Sequence, residues 1–474
     1  MVIGRLADGV LRGVDRVTTT VTDTVSEAFF EPTLRLGVTG LSQAGKTVFI
    51  TSLVANLLDR GRMGRMQSVA SDRIEAAFLQ PQPDDTLPRF DYERHLAAVT
   101  APQPRWPDST RQISQLRLSF RIRPGGLLGG MRGARVQHVD IIDYPGEWLL
   151  DLVLLDKDYA QWSREVLGRM AHRPFAADCL SALQATNPAI PHDEGAAQAL
   201  TEGFTSYLQS ARKAGLPDIT PGRFLLPGDL AGSPVLTFVP LPEGGGRGSL
   251  GREMARRFEA YKAQVIRPFF RDHFARIDRQ VVLADILGAI HAGPEAVDRL
   301  GQTLTELLGA FRPGRSAWLT RLLGGKRVER LLFAATKADH LHHSQHPRLT
   351  TIMTALLRQS RDRADFAGAR TEALALAALR ATIEEQHSRD GQTLDCVRGT
   401  LAESGKQAAF FAGELPADPM QLIGPARDGA ARWLDADFQI MRFAPAPLTR
   451  KTGDGLPHIR LDAAAEFLIG DLLR

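Results

Sequence analysis

Eight residues near the start of the chain have the types and spacing that bind a nucleotide phosphate. The stretch GLSQAGKT, from Gly40 to Thr47, fits the P-loop pattern G-x-x-x-x-G-K-S/T. Gly40 and Gly45 let the backbone curl, so that successive N–H groups converge on a β-phosphate at the start of a helix. Lys46 is expected to bridge the β- and γ-phosphates, and the Thr47 hydroxyl is expected to bind Mg²⁺. The predicted phosphate-binding residues are Gly40, Ser42, Gln43, Ala44, Gly45, Lys46 and Thr47.

The sequence on either side of this loop fits the context that a P-loop requires, which is a strand before it and a helix after it. Residues 33–39 (TLRLGVT) alternate apolar side chains with others, as a strand does. After Thr47, the stretch VFITSLVANLLDR places Phe49, Leu53 and Leu57 on one helical face. Motif and context therefore agree.

A second candidate site follows another apolar strand. VQHVDIID (136–143) ends in an acidic residue and leads into a D-x-x-G pattern from Asp143 to Gly146. In such a site the aspartate holds Mg²⁺ through a water molecule, and the glycine N–H contacts the γ-phosphate and senses its presence. Asp285 also ends a strand, RQVVLAD, but we interpret it as the end of a neighbouring core strand.

A third candidate site indicates which base is bound. The strand RLLFAA (330–335) is followed by Thr336, Lys337 and Asp339, which fit the pattern N/T-K-x-D. Guanine presents two adjacent donors, N1–H and the N2 amine, which one carboxylate accepts together. Adenine has an acceptor at N1 and no amine at C2, so it would leave Asp339 unpaired. The sequence therefore predicts a guanine-nucleotide site, with the Lys337 stem over the base.

Further residues are candidates for the hydrolytic step. In RWPDSTRQIS, which replaces the usual first switch, Thr110 is a candidate Mg²⁺ ligand and Arg111 a candidate charge neutraliser, although the stretch also fits a strand or helix start. Many GTPases have Gln directly after the D-x-x-G glycine, whereas this chain has Glu147, whose charge would repel the γ-phosphate. The water-positioning group stays open between Gln43, Glu147, the insertion and an external activator, so we expect slow turnover, on the order of 10⁻⁴ to 10⁻² s⁻¹. The predicted catalytic residues are Lys46, Thr47, Asp143, Gly146, Glu147 and Arg111, and the predicted Mg²⁺ ligands are Thr47, Asp143 and Thr110.

One more loop is expected to complete the base pocket. ALALAALRAT (373–382) reads as the end of a short strand. Ala378, Leu379 and Arg380 stand where GTPases usually have S-A-K, a loop whose backbone N–H contacts guanine O6. Arg380 is therefore a candidate cover for the base, and the alternative is a plain edge-strand end.

Six stretches together resemble a known family. GLSQAGKTVFITSLVANLL, RWPDSTRQ, DYPGEWLLDL, RQVVLADIL, TKADHLHHSQH and LPHIRLDAAAEFLIGDLL resemble the YcjX-like family of bacterial P-loop NTPases, from about Thr33 to the C-terminus. The resemblance implies a cytoplasmic GTP-binding protein. It also implies a stress-related role and a partner at the inner membrane, because of the family's stress association and its genetic proximity to an inner-membrane protein.

The spacing of the motifs predicts a large insertion. In small GTPases D-x-x-G and N-K-x-D lie roughly 60 residues apart, the length of two βα units, whereas Gly146 and Lys337 lie roughly 190 residues apart. We predict an α/β, P-loop GTPase-like fold with a mostly parallel sheet, helices on both faces and a helical insertion that could serve as a lid or partner surface. The predicted domains are an N-terminal amphipathic helix (1–32), a first part of the GTPase-like domain (33–146), a mainly helical insertion (147–279) and a second part with a C-terminal strand and helix (280–474).

The composition argues against a nucleic-acid-binding or membrane-spanning protein and indicates a reducing compartment. Hydrophobic residues make up 43% of the 474 residues and the net charge is +4, so no strong field for nucleic acid is expected. No apolar run approaches the ~20 residues that cross a bilayer, and two distant cysteines fit a reducing compartment. Residues 2–29 carry an amphipathic stripe with three arginines off it, which fits a membrane surface, a partner helix or the protein's own core. We predict a cytoplasmic protein, with peripheral association with the inner membrane through this helix.

Three alternatives to a slow GTP-hydrolysing switch stay open. The first is an ATPase, against which Asp339 argues. The second is a nucleotide-gated scaffold with negligible turnover that docks on a membrane partner, which the missing glutamine allows. The third is a dynamin-like membrane remodeller, although long assembly helices are not evident in the sequence.

Overall fold

The computed structural model describes residues 32–474, apart from Ser42, 109–111, 124–133, Gly215, 217–218, 311–327, 362–368, Asp390, 434–437, 449–450 and Thr452. The predicted N-terminal helix and three candidate site residues, Ser42, Thr110 and Arg111, therefore lie outside the described residues. Among the described helices, none combines the length and the apolar character needed to cross a bilayer.

The centre of the described part of the chain is a seven-stranded sheet with the order β2-β3-β4-β1-β5-β6-β7. Its strands are β1 (Thr33–Gly40), β2 (Ile74–Gln80), β3 (Ser114–Ile122), β4 (Arg135–Asp143), β5 (Arg279–Ala284), β6 (Arg330–Ala335) and β7 (Arg370–Ala375). Strands β4, β1, β5, β6 and β7 run parallel, whereas β3 pairs antiparallel with β2 and β4. The predicted α/β class with a mostly parallel sheet is confirmed.

Helices cover both faces of this sheet. They are α1 (Lys46–Asp59), α2 (Gln67–Ala70), α3 (Tyr92–Thr100), α4 (Gly146–Leu150), α5 (Tyr159–Met170), α6 (Ala177–Ala185), α7 (Glu194–Lys213), α8 (Gly222–Leu225), α9 (Leu250–Tyr261), α10 (Arg267–Asp272), α11 (Ile286–Ala292), α12 (Pro294–Ala310), α13 (His346–Arg361), α14 (Met420–Arg427) and α15 (Leu461–Ile469). Side chains of the parallel strands alternate between two cores, since the period of a strand is two residues. On β5, Val281 and Leu283 join the core under α1, α3 and α15, while Val282 and Ala284 join the core under α12 and α13.

The regular structure between β4 and β5 is helical throughout its described residues, from α4 to α10. Its interior is rich in aromatic rings, with Trp162 in contact with Phe204, Phe238 and Phe258 at centroid distances of 5.0–6.2 Å. These rings belong to the same buried cluster as the sheet residues Val282 and Ala284. The helices therefore pack on one face of the sheet and share its core.

Two features near the C-terminus differ from expectation. A small antiparallel sheet, β8 (Ile383–Arg389), β9 (Gln392–Thr400) and β10 (Gln407–Phe410), follows the main sheet. The sequence IEEQHSR of β8 carries no apolar alternation, so the pattern did not predict a strand. The expected C-terminal strand is reduced to a β-bridge between Ala377 and Ile459, and the expected helix is α15.

Candidate functional site

The three sequence motifs meet at the carboxyl edge of the parallel strands, where ligands bind in open α/β sheets. β1 leads into the P-loop, β4 into D-x-x-G and β6 into T-K-x-D, and all three line one cavity of about 510 Å³. The predicted residues that line this cavity are Gly40, Gln43, Ala44, Gly45, Lys46, Thr47, Glu147, Thr336, Lys337 and Asp339. The nucleotide cavity, as we call it below, thus unites residues that lie far apart in the chain.

The P-loop has the backbone that phosphate binding requires. Gly45 adopts a φ of 79° immediately before α1, in the left-handed region that favours glycine. The N–H groups of the first turn of α1 have no partner within the helix and are therefore suited to an anion. The Lys46 ammonium contacts one oxygen of the Asp143 carboxylate. The lysine charge is therefore neutralised by the aspartate of the second motif.

The residues predicted to hold Mg²⁺ fit that ion. The second carboxylate oxygen of Asp143, Oδ2, is buried and has no hydrogen-bond partner among the described residues. Asp143 lies behind the lining of the nucleotide cavity, whereas Thr47 lines it and donates a long hydrogen bond of 3.4 Å from its hydroxyl to the Asp108 carbonyl. A carboxylate and a hydroxyl are hard oxygen ligands of the kind that Mg²⁺ prefers. An unsatisfied buried carboxylate oxygen beside a P-loop is what a cation would satisfy.

The glycine of D-x-x-G lies directly against the P-loop. A Cβ atom on Gly146 would stand 2.0 Å from the Gly40 carbonyl oxygen, so only glycine fits at this position. The next side chain, Glu147, is almost fully buried and forms an ion pair of 3.0 Å with Arg212. Arg212 also lines the nucleotide cavity. Sequence reasoning missed it, because nothing in the local pattern of α7 indicates which of its residues reaches the cavity.

A second set of contacts fastens the helices between β4 and β5 to the start of α4. The Asp151 carboxylate accepts hydrogen bonds from the Gly222 N–H at 2.8 Å and from the Tyr261 hydroxyl at 2.5 Å. The Arg223 guanidinium stacks 3.3 Å from the centre of the Trp148 ring. Burial raises the pKa of Asp151 to about 7, although both hydrogen bonds and the Arg223 charge act in the opposite direction. The segment that follows the D-x-x-G glycine is thus packed tightly against the helical region.

The base motif is held from two sides. One oxygen of the buried Asp339 carboxylate, Oδ2, accepts a hydrogen bond of 2.9 Å from the Ala381 N–H, and the Asp339 carbonyl accepts one from the Thr382 hydroxyl. The Lys337 ammonium contacts the Asp285 carboxylate, which also caps α11 through the Gly288 N–H at 2.9 Å. Asp285 therefore does more than end a core strand. It positions the lysine of the base motif, which the sequence analysis did not predict.

The structure does not bring Arg380 to the nucleotide cavity. Its guanidinium donates a hydrogen bond of 3.0 Å to the Thr382 carbonyl and lies 3.5 Å from Glu384. The preceding residues of the loop, Ala377, Ala378 and Leu379, line the cavity instead. Arg380 would have to leave both partners to cover a base.

Aromatic residues that the sequence analysis did not assign to the site close the cavity on the side of the base motif. Trp106 donates a hydrogen bond of 2.7 Å from its indole N–H to the Phe443 carbonyl, and both side chains line the cavity. The Phe443 ring lies edge-on to His340, with centroids 5.2 Å apart. Arg442 lines the cavity beside them. Only the fold places residues 106 and 443 together, so local patterns gave no signal for them.

Comparison with known proteins agrees with this geometry. The model of the YcjX-like family, DUF463, matches residues 34–473. The chain belongs to the YcjX-like family. It is 36% identical over 457 residues to the "Ras-like GTPase YcjX" of Escherichia coli (strain K12), covering 93% of this chain and 96% of the relative. It is 35% identical over 468 residues to the protein of the same name from Shewanella oneidensis (strain MR-1), covering 93% and 94%.

In this member of the YcjX-like family, the cations of the three motif regions each contact a carboxylate. Lys46 pairs with Asp143, Lys337 with Asp285, and Arg212 with Glu147. A nucleoside triphosphate would bring several negative charges into the cavity, and its phosphates would compete with Asp143 for Lys46 and with Glu147 for Arg212. The arrangement is therefore suited to exchange internal ion pairs for contacts to a phosphorylated ligand.

Proposed function

We propose that this chain binds GTP and GDP together with Mg²⁺ and hydrolyses GTP slowly, as a nucleotide-dependent switch. The observation that carries the proposal is that the buried Asp339 and the P-loop Lys46 line one cavity, although they are almost 300 residues apart in sequence. A carboxylate at one end selects guanine and a P-loop at the other end binds phosphates. The name "Ras-like GTPase" of two relatives supports the same function.

At the phosphate end, each candidate residue has a defined task. The N–H groups of the P-loop and the Lys46 ammonium bind the β- and γ-phosphates. Thr47 and Asp143 would hold Mg²⁺, which would supply positive charge that offsets the charge of the phosphates. The Gly146 N–H would contact the γ-phosphate, and the close approach of Gly146 to the P-loop, where a Cβ would lie 2.0 Å from the Gly40 carbonyl oxygen, supports this task. Loss of the γ-phosphate would remove that contact.

Slow turnover follows from the residue after this glycine. Glu147 stands where many GTPases have the water-orienting glutamine, and its carboxylate is engaged in an ion pair with Arg212 instead of orienting water. We expect an intrinsic rate on the order of 10⁻⁴ to 10⁻² s⁻¹. A rate well above this range would contradict slow hydrolysis.

A switch also needs an element that responds to the nucleotide. We propose that residues 33–146 and 280–474 form one GTPase-like domain and that residues 147–279 are a helical insertion driven by it. The insertion holds α4 through Asp151 and Trp148, directly after the γ-phosphate sensor. A shift of Gly146 would therefore move the surface of the insertion, as switch regions do in other GTPases. The membrane partner expected from residues 1–32 stays a prediction of the sequence.

Binding and single-turnover measurements on the full chain test this function. Fluorescent GTP, GDP and ATP are titrated with and without Mg²⁺, and phosphate release from GTP is followed. Wild type is expected to prefer guanine nucleotides and to release phosphate only with Mg²⁺. Lys46→Ala removes a charged hydrogen bond worth about 1.5–3 kcal/mol, which weakens GTP binding roughly 10- to 100-fold.

Lys406→Ala, at an exposed lysine outside the cavity, is the matched control and should behave as wild type. Equal affinity for ATP and GTP would contradict the assignment of guanine. Unchanged GTP affinity in Lys46→Ala would contradict the assignment of the P-loop.

A further inference from the structure

We propose that Arg212, supplied by the helical insertion of the same chain, is the cation that stabilises the γ-phosphate during hydrolysis, and that Glu147 holds it in place until the nucleotide binds. The inference rests on the proposed GTP hydrolysis and adds to it the residue that the motifs leave unassigned. In this proposal the helical insertion also supplies a residue to the hydrolytic site.

Arg212 lies where it could reach the γ-phosphate of a bound nucleotide. It lies in the last turn of α7 and lines the nucleotide cavity together with Gln43 and Lys46. Its guanidinium lies 3.0 Å from the carboxylate of Glu147, the residue next to the sensor glycine Gly146. Gly146 lies against the P-loop at Gly40, and Arg212 is paired with the residue that follows Gly146. The guanidinium is therefore held close to the expected position of a γ-phosphate.

The Arg212 guanidinium can bind a phosphate in place of the Glu147 carboxylate. A guanidinium offers five N–H donors in a planar fork that matches phosphoryl oxygens as well as it matches a carboxylate. The γ-phosphate with its equatorial oxygens would therefore compete with Glu147 for Arg212. The exchange also removes the difficulty of Glu147 in the site, since the cation lies between the carboxylate and the phosphate and offsets their repulsion.

The proposed step balances without any further reactant. The oxygen of a water molecule attacks the γ-phosphorus while the bond from this phosphorus to the β–γ bridging oxygen breaks, and that oxygen stays with GDP. The water proton ends on the phosphate product. Arg212 donates hydrogen bonds to γ-phosphate oxygens, and Glu147, still beside the guanidinium, accepts a hydrogen bond from the attacking water and orients it.

Among the described residues, which do not include the candidate Arg111, other arginines near the site fit this role less well. Arg223 follows closely in the insertion, but its guanidinium is fixed on the Trp148 ring and it does not line the cavity. Arg442 lines the cavity beside Phe443, on the side of the base motif. Arg212 is the insertion arginine that both lines the cavity and contacts the residue after the sensor glycine.

The test compares wild type with Arg212→Ala, Arg212→Lys and Lys213→Ala in the full chain. Three quantities are measured: equilibrium binding of fluorescent GTP and GDP, single-turnover phosphate release, and binding of GDP with aluminium fluoride, which mimics the transferring phosphoryl group. Lys213 is the exposed neighbour on the same helix and serves as the matched control. Melting temperatures of the nucleotide-free proteins check folding, because Arg212→Ala leaves the almost fully buried Glu147 carboxylate without its cation, whereas Arg212→Lys keeps a charge beside it.

For Arg212→Ala we expect GDP affinity within a few-fold of wild type and phosphate release at least tenfold slower, toward the rate on the order of 10⁻⁴ s⁻¹ of a GTPase without an arginine. The aluminium fluoride complex should be lost. Arg212→Lys should recover only part of the rate, because a lysine keeps the charge without the fork. Lys213→Ala should match wild type in all three measurements.

Two results would overturn the inference while the proposed function stands. One is unchanged phosphate release in Arg212→Ala. The other is a loss of GDP affinity as large as the loss of rate, which would make Arg212 a ligand of the bound nucleotide and not of the transition state. Absence of GTP binding and turnover in wild type would instead overturn the proposed function and this inference together.

Discussion

At the scale of the residue, Gly146 joins two motifs that are more than 100 residues apart in sequence. Its Cα lies against the Gly40 carbonyl of the P-loop, with no space for a side chain. The same edge of the sheet holds the Lys46–Asp143 pair. The D-x-x-G turn can therefore approach the P-loop this closely because residue 146 has no side chain. This contact is the physical reason for a glycine in D-x-x-G.

Gly146→Ala is expected to weaken GTP binding and to lower the melting temperature. Its methyl group would stand 2.0 Å from a backbone oxygen, so the sensor turn or the P-loop must move. Fluorescent-GTP titration and thermal unfolding measure the two effects.

Gly168→Ala, in the interior of α5, is the control because a Cβ there has no neighbour within 4 Å. It should bind GTP as wild type does and be stabilised by about 0.5–1 kcal/mol, since alanine is favoured over glycine within a helix. If the two variants have the same GTP affinity and the same melting temperature, the close approach of Gly146 to the P-loop is not needed for GTP binding or stability.

At the scale of the element, α4 and the residues that follow it join the D-x-x-G turn to the helices between β4 and β5. Gly222 packs so closely on this segment that a Cβ atom would lie 2.2 Å from the Glu147 carbonyl oxygen. Asp151 receives hydrogen bonds from Gly222 and Tyr261 in a fully buried position. The interface is thus polar at its centre and closely packed around it, so small changes at the sensor should reach the insertion.

The buried Asp151 predicts a pH dependence of stability. Its pKa is about 7 in the folded chain and close to 3.9 in an unfolded one. Between these values the folded state binds a proton that the unfolded state does not, so this group lowers the free energy of unfolding as pH rises from about 4 to 7. Asp151→Asn removes that loss and keeps an oxygen that can accept from the Gly222 N–H.

Urea unfolding at pH 5 and pH 7.5 measures this effect. The stability of Asp151→Asn relative to wild type should increase at the higher pH. Asp178→Asn, at an exposed position on α6, is the matched control. A constant difference between Asp151→Asn and wild type at both pH values would mean that Asp151 ionises normally in the folded chain.

The elements differ in how well the sequence predicts them. β6 was predicted at 330–335 and is observed at Arg330–Ala335, because a buried strand needs a continuous apolar run and the motif marks its end. β8 was missed, because its residues are mostly polar and tertiary pairing with β9 decides its structure. Local motifs likewise predicted Lys46, Asp143 and Asp339, whereas Arg212 reaches the cavity through packing that spacing does not encode.

At the scale of the whole molecule, one cavity combines residues from both sides of a long helical segment. Lys46 comes from the part before it, Asp339 from the part after it, and Arg212 from the segment itself. A bound nucleotide would contact all three parts and stabilise their association, since a ligand that binds only the folded state shifts the folding equilibrium. The proposed function therefore depends on whether the ligand in this cavity is a guanine nucleotide.

The most direct test of that claim is the base preference of Asp339→Asn. Xanthine carries a carbonyl at C2 where guanine carries an amine, so an amide at position 339 can donate a hydrogen bond that a carboxylate cannot. The substitution keeps an oxygen for the hydrogen bond from the Ala381 N–H, so the loop should stay folded. Asp428→Asn, at an exposed aspartate outside the cavity, is the control.

Fluorescent GTP and xanthosine triphosphate are titrated into wild type and both variants in the presence of Mg²⁺. We predict that wild type and Asp428→Asn bind GTP more tightly, and that Asp339→Asn prefers xanthosine triphosphate by tenfold or more. If Asp339→Asn binds both nucleotides with the same affinities as wild type, Asp339 does not recognise guanine. That result would contradict the proposed function.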